Sequence, residues 1–137
     1  MPVSTRTEYA IRALLEIANQ KGEALSAQKI CANQTLPKKY VEHLLGSLKK
    51  AGLISSSAGS RGGYVLARPA PEISLREILE AVEDQNLELS CAFDKQYCLG
   101  ADCGLSRVFA EISQKQRRLL DGYSLETIRK ISVRRKK

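Results

Sequence analysis

The chain has 137 residues, of which 43% are apolar, enough for one globular domain with a real core. No run approaches the ~20 apolar residues of a membrane span, and the start MPVSTRTEYA lacks a basic region followed by an apolar stretch, so a cytoplasmic chain without a membrane partner is expected. Net charge is +7 but uneven: residues 1–68 hold ten Lys/Arg and four Asp/Glu, residues 69–128 six and eleven, and residues 129–137 six and none. A basic front half suits a polyanion. With one histidine and no nucleophile–base–orienter set, an enzyme is not expected.

Positions 4–19 place Ile11, Leu14, Leu15 and Ala18 at helical spacing, with Arg6, Arg12 and Glu16 off that stripe. Gly22 ends this first helix. Ser26 caps a second helix through Ala32 that buries Ile30 and Cys31, and Asn33 marks a turn. A third helix runs from about Pro37 to Ala51, with Val41, Leu44, Leu45 and Leu48 inward and Gly52 as its stop. Two short apolar runs, 53–56 and 64–67, flank a glycine-rich turn and predict a β-hairpin closed by Pro69. Ser74 and Glu77 form a capping box for a fourth helix with Leu75, Ile78, Leu79 and Val82 facing inward. Periodicity then lapses from about Asp84 to Gly104. A longer helix follows with Val108, Phe109, Ile112, Leu119 and Leu120, its stripe interrupted by Gln116, and a short helix follows Ser124. The fold class is mainly α with a small β-hairpin wing (α+β): a winged helix-turn-helix plus extra C-terminal helices.

Such a fold sets the second helix of its motif in the DNA major groove, where base edges are distinguishable. The outward face of residues 37–50 carries suitable groups. Lys38 and Lys39 suit phosphate, although both also read as a solvated helix start. Tyr40 suits phosphate or a base. Glu42 can accept from a cytosine amino group or pair locally with Lys38 or Lys39. His43 reads as a rim or phosphate contact. The hairpin tip Gly59-Ser60-Arg61-Gly62-Gly63 presents Ser60 and Arg61 to the backbone or the minor groove, with glycines permitting close approach.

The segments TRTEYAIRALLEIA, KKYVEHLLGSLKKAGLISS, GSRGGYVLARP and ISLREILEAVED together resemble the winged-helix regulator family that includes IscR, NsrR and CymR, over about residues 1–128. The resemblance implies a homodimer on double-stranded palindromic operator DNA, with the long C-terminal helix crossing to the partner. It divides the chain into a DNA-binding region (1–83, wing about 53–67), a cysteine sensor loop (84–104) and a dimerisation helix with a short terminal helix (105–128). The basic tail 129–137 is expected to be disordered.

Three of the four cysteines, Cys91, Cys98 and Cys103, are spaced C-x6-C-x4-C. The spacing alone suits an iron–sulfur cluster, a zinc site or free redox thiols. The resemblance implies the first, a [2Fe-2S] or [4Fe-4S] cluster, because iron–sulfur members carry three cysteines at this place. IscR-like members follow the third cysteine with a histidine; here the stretch is Gly104-Leu105-Ser106-Arg107. Other members recruit an acid from the partner's first helix, and Glu8 of the partner subunit falls at that position. Asp94 and Asp102 are local oxygen donors, and Glu8 also reads as an i,i+4 partner of Arg12. Cys31 reads as a buried apolar residue. Two other functions remain open: a cluster-free regulator answering to cysteine oxidation or a protein partner, and an iron–sulfur electron carrier, which leaves the wing without a purpose.

Overall fold

The computed structural model describes residues 3–83 and 103–135, the last three as backbone only. The first helix, α1 (Thr5–Ala18), starts on Ser4, whose hydroxyl accepts from the Thr7 amide. Its fully buried positions are Thr7, Ala10, Ala13, Leu14 and Ile17. The innermost face is thus rotated from the expected stripe. Ala10 and Ala13 let neighbouring elements approach closely, while Ile11, Leu15 and Ala18 pack at its flanks. This placement makes α1 the central element, touching all the other helices of the winged unit.

The helix α2 (Ala27–Gln34) begins on Ser26, which accepts from the Lys29 amide. It continues two residues past the expected end. Asn33 does not form the turn, because its amide donates to Glu16 on α1. Termination falls instead on Thr35, in left-handed geometry at φ 54°, ψ 54°. Only Thr35, Leu36 and Pro37 separate α2 from α3 (Lys38–Lys50). The expected inward face of α3 is observed: Val41, Leu44, Leu45 and Leu48 are all buried. Its end is a paired cap in which Gly52, at φ 79°, donates to Lys49 and Leu53 donates to Leu48.

The wing consists of β1 (Ile54–Ser57) and β2 (Gly63–Leu66), antiparallel, with Ile54 opposite Leu66 and Ser57 opposite Gly63. A third backbone segment secures its base, since Leu25 and Tyr64 exchange both main-chain hydrogen bonds at 3.0 and 2.8 Å. Glycine is required at 63: φ is 153°, and a Cβ there would lie 2.5 Å from the Leu25 carbonyl carbon.

A short 3₁₀ turn, Ala70–Glu72, leads to α4 (Leu75–Val82). The predicted capping box is present in both directions: Glu77 N donates to Ser74 Oγ at 3.2 Å, and Ser74 N donates to Glu77 Oε2 at 3.1 Å. Ile78 and Val82 are buried and Leu75 and Leu79 half-buried. The long helix α5 (Gly104–Asp121) returns alongside α4 and is tied to it by Arg76 Nε donating to Asp121 at 2.7 Å. The last helix, α6 (Leu125–Arg135), is anchored by fully buried Leu125 and by main-chain bonds from Leu125 to Ile73 and from Leu75 to Tyr123. Residues 129–135 are therefore helical rather than a disordered tail. The Glu126–Arg129 pair at 2.5 Å and the Ser132 hydroxyl on the Ile128 carbonyl accompany the continuing turns, and basic residues suit a helix C-terminus. No described helix is long and apolar enough to cross a membrane.

Candidate DNA-binding surface and cysteine site

On α3 the apolar face is spent on the core, which leaves Lys38, Lys39, Glu42, His43 and Gly46 exposed on the opposite side. Neither Lys38 nor Lys39 pairs with Glu42 among the described residues, so the carboxylate stands open. Tyr40 differs from its neighbours. It is half-buried, and its ring meets that of Tyr9 edge to face at 5.7 Å and 79°. That contact holds Tyr40 in place from the first turn of α3. At the wing tip Gly62 N donates to the Gly59 carbonyl at 3.0 Å, closing a turn whose two central residues are Ser60 and Arg61, both exposed. A side chain at 62 would collide with the Ser57 carbonyl oxygen at 2.3 Å. The tip is thus built to carry one cation on a tight main-chain bend.

A polar row runs along α1, Glu8, Arg12 and Glu16 at i, i+4 and i+8, and its last two members lie against the end of α2. Arg12 Nε donates to Gln34 Oε1 at 3.0 Å and Nη2 to the Gln34 carbonyl at 2.5 Å. Glu16 accepts from the side-chain amides of Gln34 and Asn33 at 2.5 and 3.1 Å. The Arg12 guanidinium also sits 5.8 Å from the centroid of Tyr9. The sequence places Arg12 and Glu16 off the apolar stripe and pairs Glu8 with Arg12, a pair present at 3.6 Å, but does not reveal the α2 partners. The repeat every four residues was the available signal.

Of the cysteine trio, Cys103 is described: it is buried, at 9% exposure, and forms no disulfide. It occupies the N-cap position of α5, and no cap hydrogen bond engages its side chain. Cys91 and Cys98 lie outside the described residues, as do Asp94 and Asp102. Glu8 is exposed on the first turn of α1, 3.6 Å from Arg12. Cys31 is buried within α2, and burial followed by the nearby Glu42 carboxylate raises its thiol pKa, as suits a packed neutral side chain. The segment holding Cys91 and Cys98 departs from Glu83, whose carboxylate accepts from the hydroxyls of both Ser4 and Thr7.

One face of α5 is apolar and uncovered. Leu105, Val108, Ile112 and Leu119 are 54, 52, 42 and 64% exposed, in the 3–4 spacing of a helix-pairing seam.

Comparison with known proteins agrees with this arrangement. The regulator IscR of Xenorhabdus nematophila is 32% identical over 131 residues, covering 93% of this chain and 79% of that protein. The structure of T. potens IscR superposes with a TM-score of 0.71 at 29% identity, covering 96% of this chain and 88% of that one. The oxidized form of Staphylococcus aureus CymR gives 0.69 at 27%, covering 94% and 96%. The family described as Rrf2, iron-dependent transcriptional regulator, matches residues 3–130. This chain, with its basic helix-turn-helix and arginine-tipped wing, belongs to the Rrf2 family and is a DNA-binding transcriptional regulator rather than an enzyme.

Proposed function

We propose that the protein acts as a homodimer on a palindromic operator, and that an iron–sulfur cluster held by Cys91, Cys98 and Cys103 controls its affinity. The observation that carries this reading is the position of Cys103. Its buried, unbridged thiol opens α5, so a group held there bears directly on the helix with the uncovered seam. The donor chemistry fits: three soft thiols lie within thirteen residues, and the Cys103 side chain makes no cap hydrogen bond at the start of α5. When bound, a cluster supplies a link between these thiols and a fourth donor that oxidants and competing ligands can break.

The chain's own residues supply the rest. Lys38, Lys39, His43, Ser60 and Arg61 bind phosphate or the rim and set the register, while Glu42, exposed on α3, reads a base edge. Tyr40 contributes from its fixed seat against Tyr9. A second copy covers the α5 seam and brings two α3 helices to half-sites about 34–36 Å apart, or a multiple of that. Glu8 of the partner subunit serves as the oxygen donor. Its pairing with Arg12 is solvent-exposed and therefore weak enough to exchange. Glu83 joins the start of the cysteine segment to α1, so constraint in the segment reaches the winged unit through that carboxylate.

Anaerobic purification with iron and sulfide assay tests the reading. A brown protein is expected whose operator affinity differs about 5- to 150-fold from that of its cluster-free form, and Cys98→Ser should be colourless. A colourless wild-type protein without iron overturns it. In that case oxidation of the cysteines themselves is the next reading, supported by the likeness to S. aureus CymR in its oxidized form.

A further inference from the structure

We infer that Arg12, which touches no exposed part of the DNA-reading face, is a positioning residue that sets the tilt of α3 and hence operator discrimination. The inference rests on α3 being the operator-reading helix. Three observations meet at this side chain. The first is the Gln34 carbonyl, one of the last carbonyls of α2, which the helix cannot satisfy internally. Arg12 satisfies it at 2.5 Å from another helix, with a second bond to the Gln34 side chain at 3.0 Å. The second is Thr35, the next residue, held at φ 54°. A β-branched side chain is disfavoured there and persists only where its surroundings over-determine the conformation. Gln34, gripped by Arg12 on one side and Glu16 on the other, supplies that determination. The third is the stack: Arg12 sits by Tyr9, and Tyr9 meets Tyr40 in the first turn of α3.

Arg12 therefore governs α3 at two points, the three-residue turn just before it and the ring of its third residue. A planar fork is needed for this, because one bond goes to a main-chain oxygen and another to a side-chain oxygen in fixed relation. Lysine keeps the charge but offers no such geometry. A base-reading helix whose tilt slips loses bidentate contacts while keeping its distance-tolerant phosphate contacts. The loss should accordingly appear in discrimination and not in general DNA affinity.

The test measures Arg12→Lys against two duplexes: one enriched by the wild-type protein from a random pool, and a scrambled one of the same composition. The preference for the enriched duplex is expected to fall about 10-fold, while scrambled-duplex affinity and salt dependence stay within about twofold. Adding Thr35→Gly should return the preference to within about threefold of wild type, because glycine adopts the left-handed turn unaided. If Arg12→Lys does not fold, Gln34→Ala removes the side-chain half of the grip and should show a smaller loss of the same kind. Unchanged preference in a folded variant overturns the inference. So does an equal loss on both duplexes with the salt slope reduced by about one, which would make Arg12 a phosphate contact. Failure of Thr35→Gly to rescue also overturns it. If the wild type enriches no duplex, the reading of α3 fails first and the inference with it.

Discussion

Thr7 donates to Glu83 across a 2.8 Å hydrogen bond, joining the first turn of α1 to the residue that follows α4. Thr7 is 1% exposed and is the one buried polar side chain among the described residues. Removing its acceptor strands a hydroxyl in the interior, at a cost of about 1–3 kcal/mol. Glu83→Ala should lower the urea midpoint accordingly. In Thr7→Val/Glu83→Ala the loss should be less than the sum of the single losses, because donor and acceptor disappear together. Strict additivity would show that the bond does not couple the two helices.

The two parts of the DNA surface should fail differently. Arg61→Ala is expected to weaken all duplexes alike and reduce the salt slope by about one. Glu42→Ala should relax preference at a single base position by about 1–3 kcal/mol with the slope unchanged. Fluorescence anisotropy titrations across salt concentrations separate these outcomes.

Acid should act on the α4 cap. The Glu77 carboxyl is held below the usual glutamate range, first by its bond to Arg68 at 2.9 Å and further by the Ser74 amide. A depressed folded pKa stabilises the protein above the unfolded value of about 4.3, and that contribution disappears as pH falls through the lower folded value. Glu126, held down by Arg129, acts in the same direction. Urea unfolding from pH 7 downward should therefore show a steeper acid loss for wild type than for Glu77→Gln. Parallel profiles would assign the acid sensitivity elsewhere.

The α5 seam predicts assembly. Ile112 contributes to no part of the winged-helix core, so Ile112→Lys should keep its helical circular dichroism while light scattering reports a monomer. Operator affinity should drop about 100-fold, since two linked half-site contacts become one. A dimer that persists unchanged would place the interface on another face.

Local chemistry was legible in the sequence wherever a signal acts within a few residues. Ser26, Gly52 and the Ser74–Glu77 box each delimit a helix as read, because capping groups satisfy nearby main-chain atoms. Tertiary partners were not legible. Asn33 looked like a turn residue until Glu16 was found to hold its amide, and Arg12 and Glu16, off the apolar stripe, gave no sign of the α2 end that packs against them. The inner face of α1 was misplaced by about one position because alanines mark the closest approach and bulkier residues its edges. Likewise nothing near Tyr40, which reads as suiting phosphate or a base, signalled the edge-to-face contact of its ring with Tyr9. The expectations for Cys91 and Cys98 lie outside the described residues.

The fastening of Leu25 to Tyr64 divides the hairpin into parts with different freedom to evolve. Beyond Ser57 and before Gly63 the loop answers to nothing but its own bend, so extra residues there would lengthen the arm's reach along a groove without disturbing folding. At its base the hairpin is instead held by one bridge, whose Leu25 side chain is 4% exposed and belongs to the core. New target preferences can therefore arise by remodelling the tip, while a change at Leu25 or Tyr64 would disturb the core as well as the arm.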